Sequence, residues 1–170
     1  MSAFILTFGL ILYTVFLHEK NPDLNVGTLI PKHEKDPALN ISVRMDEEDV
    51  IEAEHKISSF LNEQGIDGLT TYEVRLSCEE LMNNIVRHTK EKQPEKHYFD
   101  LHIRSNDKEV NVLLKDDGRP FNPILKEKIQ MTPDLNYDKL GLKVVNSVSS
   151  TINYKYMYDQ NMVLLTFLRP

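Results

Sequence analysis

A chain of 170 residues with 41% hydrophobic content is long enough for one domain of ordinary size and a short appendage. A core on that scale needs neither disulfides nor metals to hold it. The formal net charge of −6 argues against a nucleic-acid partner, which normally needs a basic face, and the single cysteine, Cys78, excludes an intrachain bridge. Among helical, apolar neighbours that cysteine reads as a small core residue in a reducing compartment. The first element is the run Met1–Leu17 (MSAFILTFGLILYTVFL), which holds no charge and ends at His18, Glu19 and Lys20. Its length is that of the shortest membrane spans. A secretory signal would want a basic n-region and a small-residue cleavage site, and neither is present. Residues 1–17 therefore read as a membrane anchor, with a packed core segment as the competing reading. Starting at the first residue, the run looks like the end of the last span of a longer membrane protein.

Residues 18–39 contain three prolines, one glycine and several charges without apolar periodicity, which predicts a linker with at most one short extended piece, Val26–Ile30. The domain proper covers residues 40–170. It opens with a strand, Ile41–Arg44, and a helix capped by Asp46 and stopped by Gly65 after Gln64. The apolar residues of that helix, Val50, Ala53, Ile57, Phe60 and Leu61, recur at helical spacing. A capping box, Thr70-Thr71-Tyr72-Glu73, predicts a second helix to about Thr89 with a core stripe of Val74, Cys78, Leu81 and Ile85. Strands follow at His97–Arg104 and Glu109–Lys115, around the turn Ser105-Asn106-Asp107-Lys108. The alternation of Phe99, Leu101 and Ile103 with Tyr98, Asp100, His102 and Arg104 suits a sheet with one wet face. Residues 116–137 read as irregular apart from a weak helical pattern over Ile124–Gln130, and a loop of that length is generally functional or disordered. A third helix, Asp138–Ser149, leads to the strand Thr151–Tyr158, the turn Asp159-Gln160-Asn161, and the strand Met162–Leu168. The order β-α-α-β-β-loop-α-β-β predicts an α/β (α+β) two-layer sandwich, its mixed, largely antiparallel sheet covered on one face by helices.

Chemistry concentrates in three places. In the second helix, a rise of about 1.5 Å per residue stacks side chains four apart at about 6 Å. Glu80, Asn84 and His88 thus form one ladder, and Glu79 and Asn83 another. A carboxylate and an amide at that separation can hold a metal ion and a water. Spacing does not choose between the ladders, and a solvated polar face competes with both. Next, the apolar strand ending in Lys115-Asp116-Asp117-Gly118-Arg119-Pro120-Phe121-Asn122-Pro123 can aim a carboxylate into a cleft, with Gly118 admitting a ligand close to the backbone. A plain turn is the alternative. Last, Lys139-Leu140-Gly141-Leu142-Lys143 opens a helix whose free amides and positive dipole end suit a phosphate.

Together and in this order, the three segments resemble the boxes of GHKL (Bergerat-fold) ATPases. Glu80-x-x-x-Asn84-Ile85-Val86-Arg87-His88 is similar to the N box of the anti-sigma-factor serine kinases. Asp116-x-Gly118-x-Pro120-Phe121-Asn122-Pro123 resembles their G1 box, and Leu140-Gly141-Leu142 the core of the G2 box. Asn161, before the last strand, also matches a family habit. The resemblance covers about 130 residues and implies a Bergerat-type fold that binds ATP with magnesium. It implies Glu80 as general base, Asn84 as the magnesium ligand, and His88 beside it. Asp116 would take the adenine amino group, with Gly118 and Pro120 shaping the base site. Amides around Leu140 and Gly141 would serve the phosphates, under a lid of residues 122–139. The family pattern, in which the metal-binding Asn stands four residues before a His, selects the Glu80/Asn84 ladder.

One departure is plain. Where the family places further glycines before the Leu-Gly-Leu core, this chain has Tyr137, Asp138 and Lys139. Side chains there restrict a loop that must wrap phosphates, so adenine recognition reads as intact and turnover as doubtful. The implied function is an ATP-binding regulatory domain that phosphorylates a serine of a partner protein, the alternative being a non-catalytic nucleotide sensor attached to a membrane protein. The resemblance admits a homodimer as well as a protein partner. The apolar segment, polar linker and domain together resemble the C-terminal end of multidrug-extrusion (MATE-like) transporters fused to such a domain. That arrangement implies a membrane-tethered chain with a cytoplasmic domain.

Overall fold

The structure is a computed structural model that describes residues 36–89, 98–124 and 137–170. The anchor of residues 1–17, the extended piece Val26–Ile30, and most of the helical pattern over 124–130 and of the lid lie outside the described residues. Among those described, no helix is long and apolar enough to cross a membrane.

The first element of the described residues is strand β1 (Ala38–Arg44), which starts three residues earlier than the sequence pattern indicates. Helix α1 (Glu47–Glu63) starts where Asp46 accepts the Asp49 amide at 2.8 Å. It stops at Gly65, whose φ of +62° is cheap only without a Cβ. The Gly65 amide bonds the Asn62 carbonyl, and the Ile66 amide the Leu61 carbonyl, each at 3.0 Å, closing a Schellman motif over the buried Ile66.

Helix α2 runs Gly68–Thr89, and its cap differs from the expected one. Asp67, not Thr70, accepts the amides of Leu69 and Thr70, both at 3.0 Å. Thr70 is buried inside the first turn. The Thr70–Glu73 pattern is outcompeted because an aspartate one turn earlier caps the amides of Leu69 and Thr70 and so starts the helix at Gly68.

Strands β2 (Tyr98–Ser105) and β3 (Glu109–Asp116), helix α3 (Tyr137–Val148), and strands β4 (Thr151–Met157) and β5 (Gln160–Leu168) complete the domain. The last turn is two residues, Tyr158 and Asp159, both at positive φ. It is shorter than expected and leaves Asn161 inside β5. The five strands pair antiparallel throughout in the order β1-β2-β3-β5-β4.

Helix α2 packs between α1 and α3 and lies over β3 and β5, while α1 lies over β1. Register sets which side chains meet the helices. Phe99, Leu101 and Ile103 of β2 join Val110, Val112 and Leu114 of β3 and Val163, Leu165 and Phe167 of β5 in one buried cluster. Into it α1 contributes Val50, Ala53, Ile57 and Leu61, and α2 contributes Val74, Cys78, Leu81, Met82 and Val86. The result is the two-layer α+β sandwich that the element order implies.

Candidate functional site

The helix-facing period of β3, Val110-x-Val112-x-Leu114, falls next on Asp116, and that of β5, read backwards from Phe167, falls on Asn161. Asp116 and Asn161 are paired across the ladder. The core stripe therefore ends in two polar side chains on the buried side of the sheet. Asp117, one residue on, is exposed, as alternation along a strand requires.

Around that end lies a pocket of about 280 Å³. Helix α2 gives Leu81, Asn84, Ile85, Arg87 and His88; β3 gives Leu114 and Asp116. The loop after β3 gives Gly118, Arg119, Pro120, Phe121 and Pro123, and β5 closes the floor with Asn161 and Val163. The rings of His88 and Phe121 lie 5.8 Å apart with their planes tilted by 30°, joining helix and loop at the rim. Asn146 of α3 donates to the Pro123 carbonyl at 3.0 Å and fixes the far end of the loop.

Asp116 Oδ1 accepts from the Gly118 amide at 2.8 Å and from Asn161 Nδ2 at 3.0 Å. Burial pushes the carboxyl above its ordinary range, and those two hydrogen bonds pull it back. A Cβ at Gly118 would stand 2.6 Å from Asp116 Oδ1, so the glycine is needed by the turn that folds back onto its own carboxylate. Asn161 holds the loop itself. Its Nδ2 also reaches the carbonyls of Gly118 (3.3 Å) and Arg119 (3.0 Å). Its Oδ1 takes the Phe121 amide at 3.0 Å and the Tyr154 hydroxyl at 2.8 Å.

Of the residues singled out in the sequence, Asn84, His88, Asp116, Gly118 and Pro120 come together around this pocket. Asn84 is only 4% exposed and its Nδ2 has no hydrogen-bond partner. Glu80 and Gly141 meet where α2 and α3 touch, outside the pocket lining. A Cβ at Gly141 would collide with the Glu80 carboxylate, 2.7 Å from its Cδ, so Glu80 fills the side-chain space that the glycine leaves where α2 and α3 touch. Leu140 is exposed in the first turn of α3. The rival ladder points elsewhere. Glu79 is exposed and near Glu54 of α1, whose carboxyl is raised by burial and then by Glu79. Tyr154 was not foreseen in the sequence, and Asn161 only as a likeness, because only strand register brings either to Asp116.

A cavity with apolar walls (Leu81, Ile85, Leu114, Val163) and one oriented carboxylate suits a flat ring with a hydrogen-bond donor on its edge. The signature of the histidine kinase-like ATPase domain family matches residues 43–167. Among solved structures, a crystal structure of RsbU and RsbW domains from Mycobacterium tuberculosis superposes with a TM-score of 0.59 at 17% identity, over 79% of this chain and 33% of that one. The SiaB–SiaC complex from Pseudomonas aeruginosa gives 0.52 at 14% identity, over 76% of this chain and 89% of that one. The chain thus spans a third of the first protein's length, and at these identities the likeness is one of fold. No match to a curated protein is found.

Proposed function

Because the chain belongs to the histidine kinase-like ATPase domain family, we propose that it is an ATP-dependent regulatory module that phosphorylates a serine of a partner protein. The observation that carries the reading is the oriented Asp116 carboxylate at the floor of an apolar-walled pocket. Its remaining oxygen accepts the exocyclic amine of adenine, and Leu81, Ile85, Leu114 and Val163 cover the faces of the base.

Magnesium keeps most of its waters and binds through one or two protein oxygens and the phosphates. The residues fit that demand. Asn84 is buried at the pocket with its Nδ2 unengaged, and a half-turn of the amide presents its oxygen in that place. Among the described residues no group of three or more His, Cys, Asp or Glu side chains offers an all-protein cage. Asn84 would hold the ion, which would supply positive charge against the phosphates. The first turn of α3, which ends at Leu140 just before Gly141, supplies a positive dipole end for those phosphates.

In the transfer, the serine hydroxyl attacks the γ-phosphorus as Glu80 takes its proton. The new O–P bond forms, the bond to the β–γ bridging oxygen breaks, and ADP leaves with that electron pair. A second reading, a sensor that binds ATP without transferring phosphate, is favoured by two features. Glu80 packs on Gly141 and does not line the pocket, while Tyr137, Asp138 and Lys139 stand before that glycine.

Glu80→Ala separates the two. For a kinase the phosphotransfer rate falls about 10²–10⁴-fold with ATP affinity retained. A variant that keeps its rate, with Glu79→Ala inactive instead, would reassign the base. The RsbW-like and SiaB-like folds support a protein partner. The uncharged run of residues 1–17 supports a membrane tether with the domain in the cytoplasm. Recovery of the full chain in the soluble fraction after cell lysis would refute the tether.

A further inference from the structure

We propose that Asn161 and Tyr154 are a positioning pair that sets the base selectivity of the pocket by deciding which oxygen of Asp116 faces the nucleotide. The proposal rests on the reading of this pocket as an adenine site.

A primary amide has two N–H donors and two acceptor lone pairs. All of Asn161's capacity is spent inside the protein. The two N–H groups of Nδ2 are shared among Asp116 Oδ1 and the carbonyls of Gly118 and Arg119, and Oδ1 accepts from the Phe121 amide and the Tyr154 hydroxyl. At 2% exposure, Asn161 has nothing left for a ligand. It acts through Asp116 and does not touch the base.

Its effect on Asp116 is directional. Oδ1 is saturated by Asn161 Nδ2 at 3.0 Å and by the Gly118 amide at 2.8 Å. Oδ2 is left as the acceptor for a donor on the base edge. Only one orientation of the Asn161 amide satisfies the network. Flipped, its oxygen would face a carboxylate and two carbonyls, and its nitrogen the Phe121 N–H. Tyr154, on β4, biases that choice by donating to Oδ1 at 2.8 Å. Register makes the pair. Asn161 lies opposite Asp116, and Tyr154 opposite Val163 two residues further along β5.

An acceptor fixed in this way discriminates by the group at position 6 of a purine. The amine of adenine donates to it, whereas the oxo group of hypoxanthine meets it lone pair to lone pair. The test is calorimetric titration of the full chain and of Asn161→Ala and Tyr154→Phe with magnesium ATP and magnesium ITP, beside a thermal melt of each. The wild type is expected to prefer ATP by at least about tenfold, on the scale of one hydrogen bond to a charged group. Tyr154→Phe should shrink that ratio about threefold, and Asn161→Ala should bring it close to unity by weakening ATP while sparing ITP. Tyr154→Phe loses one hydroxyl from an edge strand and so decides the question if Asn161→Ala does not fold. Folded variants that keep the full ATP-to-ITP ratio overturn the pair and leave the adenine site standing. A wild type that binds ATP and ITP equally, or neither, overturns the adenine reading itself and the pair with it.

Discussion

Burial raises the Asp116 carboxyl above its ordinary 3.8, against the pull of hydrogen bonds from Asn161 and Gly118. With the folded value above the unfolded one, the native state holds the proton more tightly. The stability contributed by this group is fully present below 3.8 and is lost as pH rises through the raised folded value. On the proposed adenine reading, nucleotide binding needs the ionised oxygen and so strengthens over the same window. On that reading function and stability pull this one side chain in opposite directions, as is common at binding sites. Asp116→Asn keeps an oxygen for Gly118 and Asn161 and removes the charge. The ligand-free variant should melt higher than wild type at neutral pH, with the gap narrowing as the pH falls toward 4. Melts taken across that range check it, and a variant that melts lower at neutral pH contradicts the sign. A second residue-scale expectation concerns Gly141. In a helix interior alanine is favoured over glycine by about 1 kcal/mol, but a Cβ here displaces the Glu80 carboxylate. Gly141→Ala should hold or raise the melting temperature while lowering phosphotransfer. Full retention of the transfer rate would dissociate Glu80's position from the chemistry.

Among the elements, those with strong local signals were legible in the sequence. The first helix carries both of its ends in the chain, an aspartate that caps and a glycine that takes positive φ, and its buried residues are the ones its spacing marks. The cap of α2 was misplaced by one turn because Asp67 and Thr70 offer the same chemistry three residues apart. The amides of Leu69 and Thr70 on Asp67, and the burial of Thr70, show which one wins. The β4–β5 turn was also misread, since Tyr158 is an unusual residue for a left-handed backbone. Its φ of +52° and that of Asp159 at +56° place both in the region favoured by Asn and Gly in two-residue hairpins. Tyr158 is 84% exposed, so replacing it costs little packing. The double variant Tyr158→Asn with Asp159→Gly should gain about 1–2 kcal/mol, the order of the left-handed penalty relieved. Urea denaturation measures this, and an unchanged midpoint would mean that the turn carries no such penalty.

At the scale of the whole molecule, the pocket is assembled from three stretches of chain: the end of α2, the end of β3 with its loop, and the start of β5. The first two announce themselves, because Asn84, His88, Asp116 and Gly118 sit in spaced patterns that a linear reading can match. The third does not. Asn161 lies forty-five residues from Asp116, and nothing local marks it as the residue that orients the carboxylate. That role follows from antiparallel pairing alone. The fold accordingly explains why the stripe of core residues ends in an acid and an amide, and why the acid is accessible from the pocket. Titration of the full chain with magnesium ATP, run in parallel on Asp116→Asn, tests that explanation most directly. Saturable binding by the wild type, weakened in the variant by about 1.5–3 kcal/mol with the fold intact by melting, is the predicted result. Equal affinity in the two proteins, or no binding by a folded wild type, would contradict it.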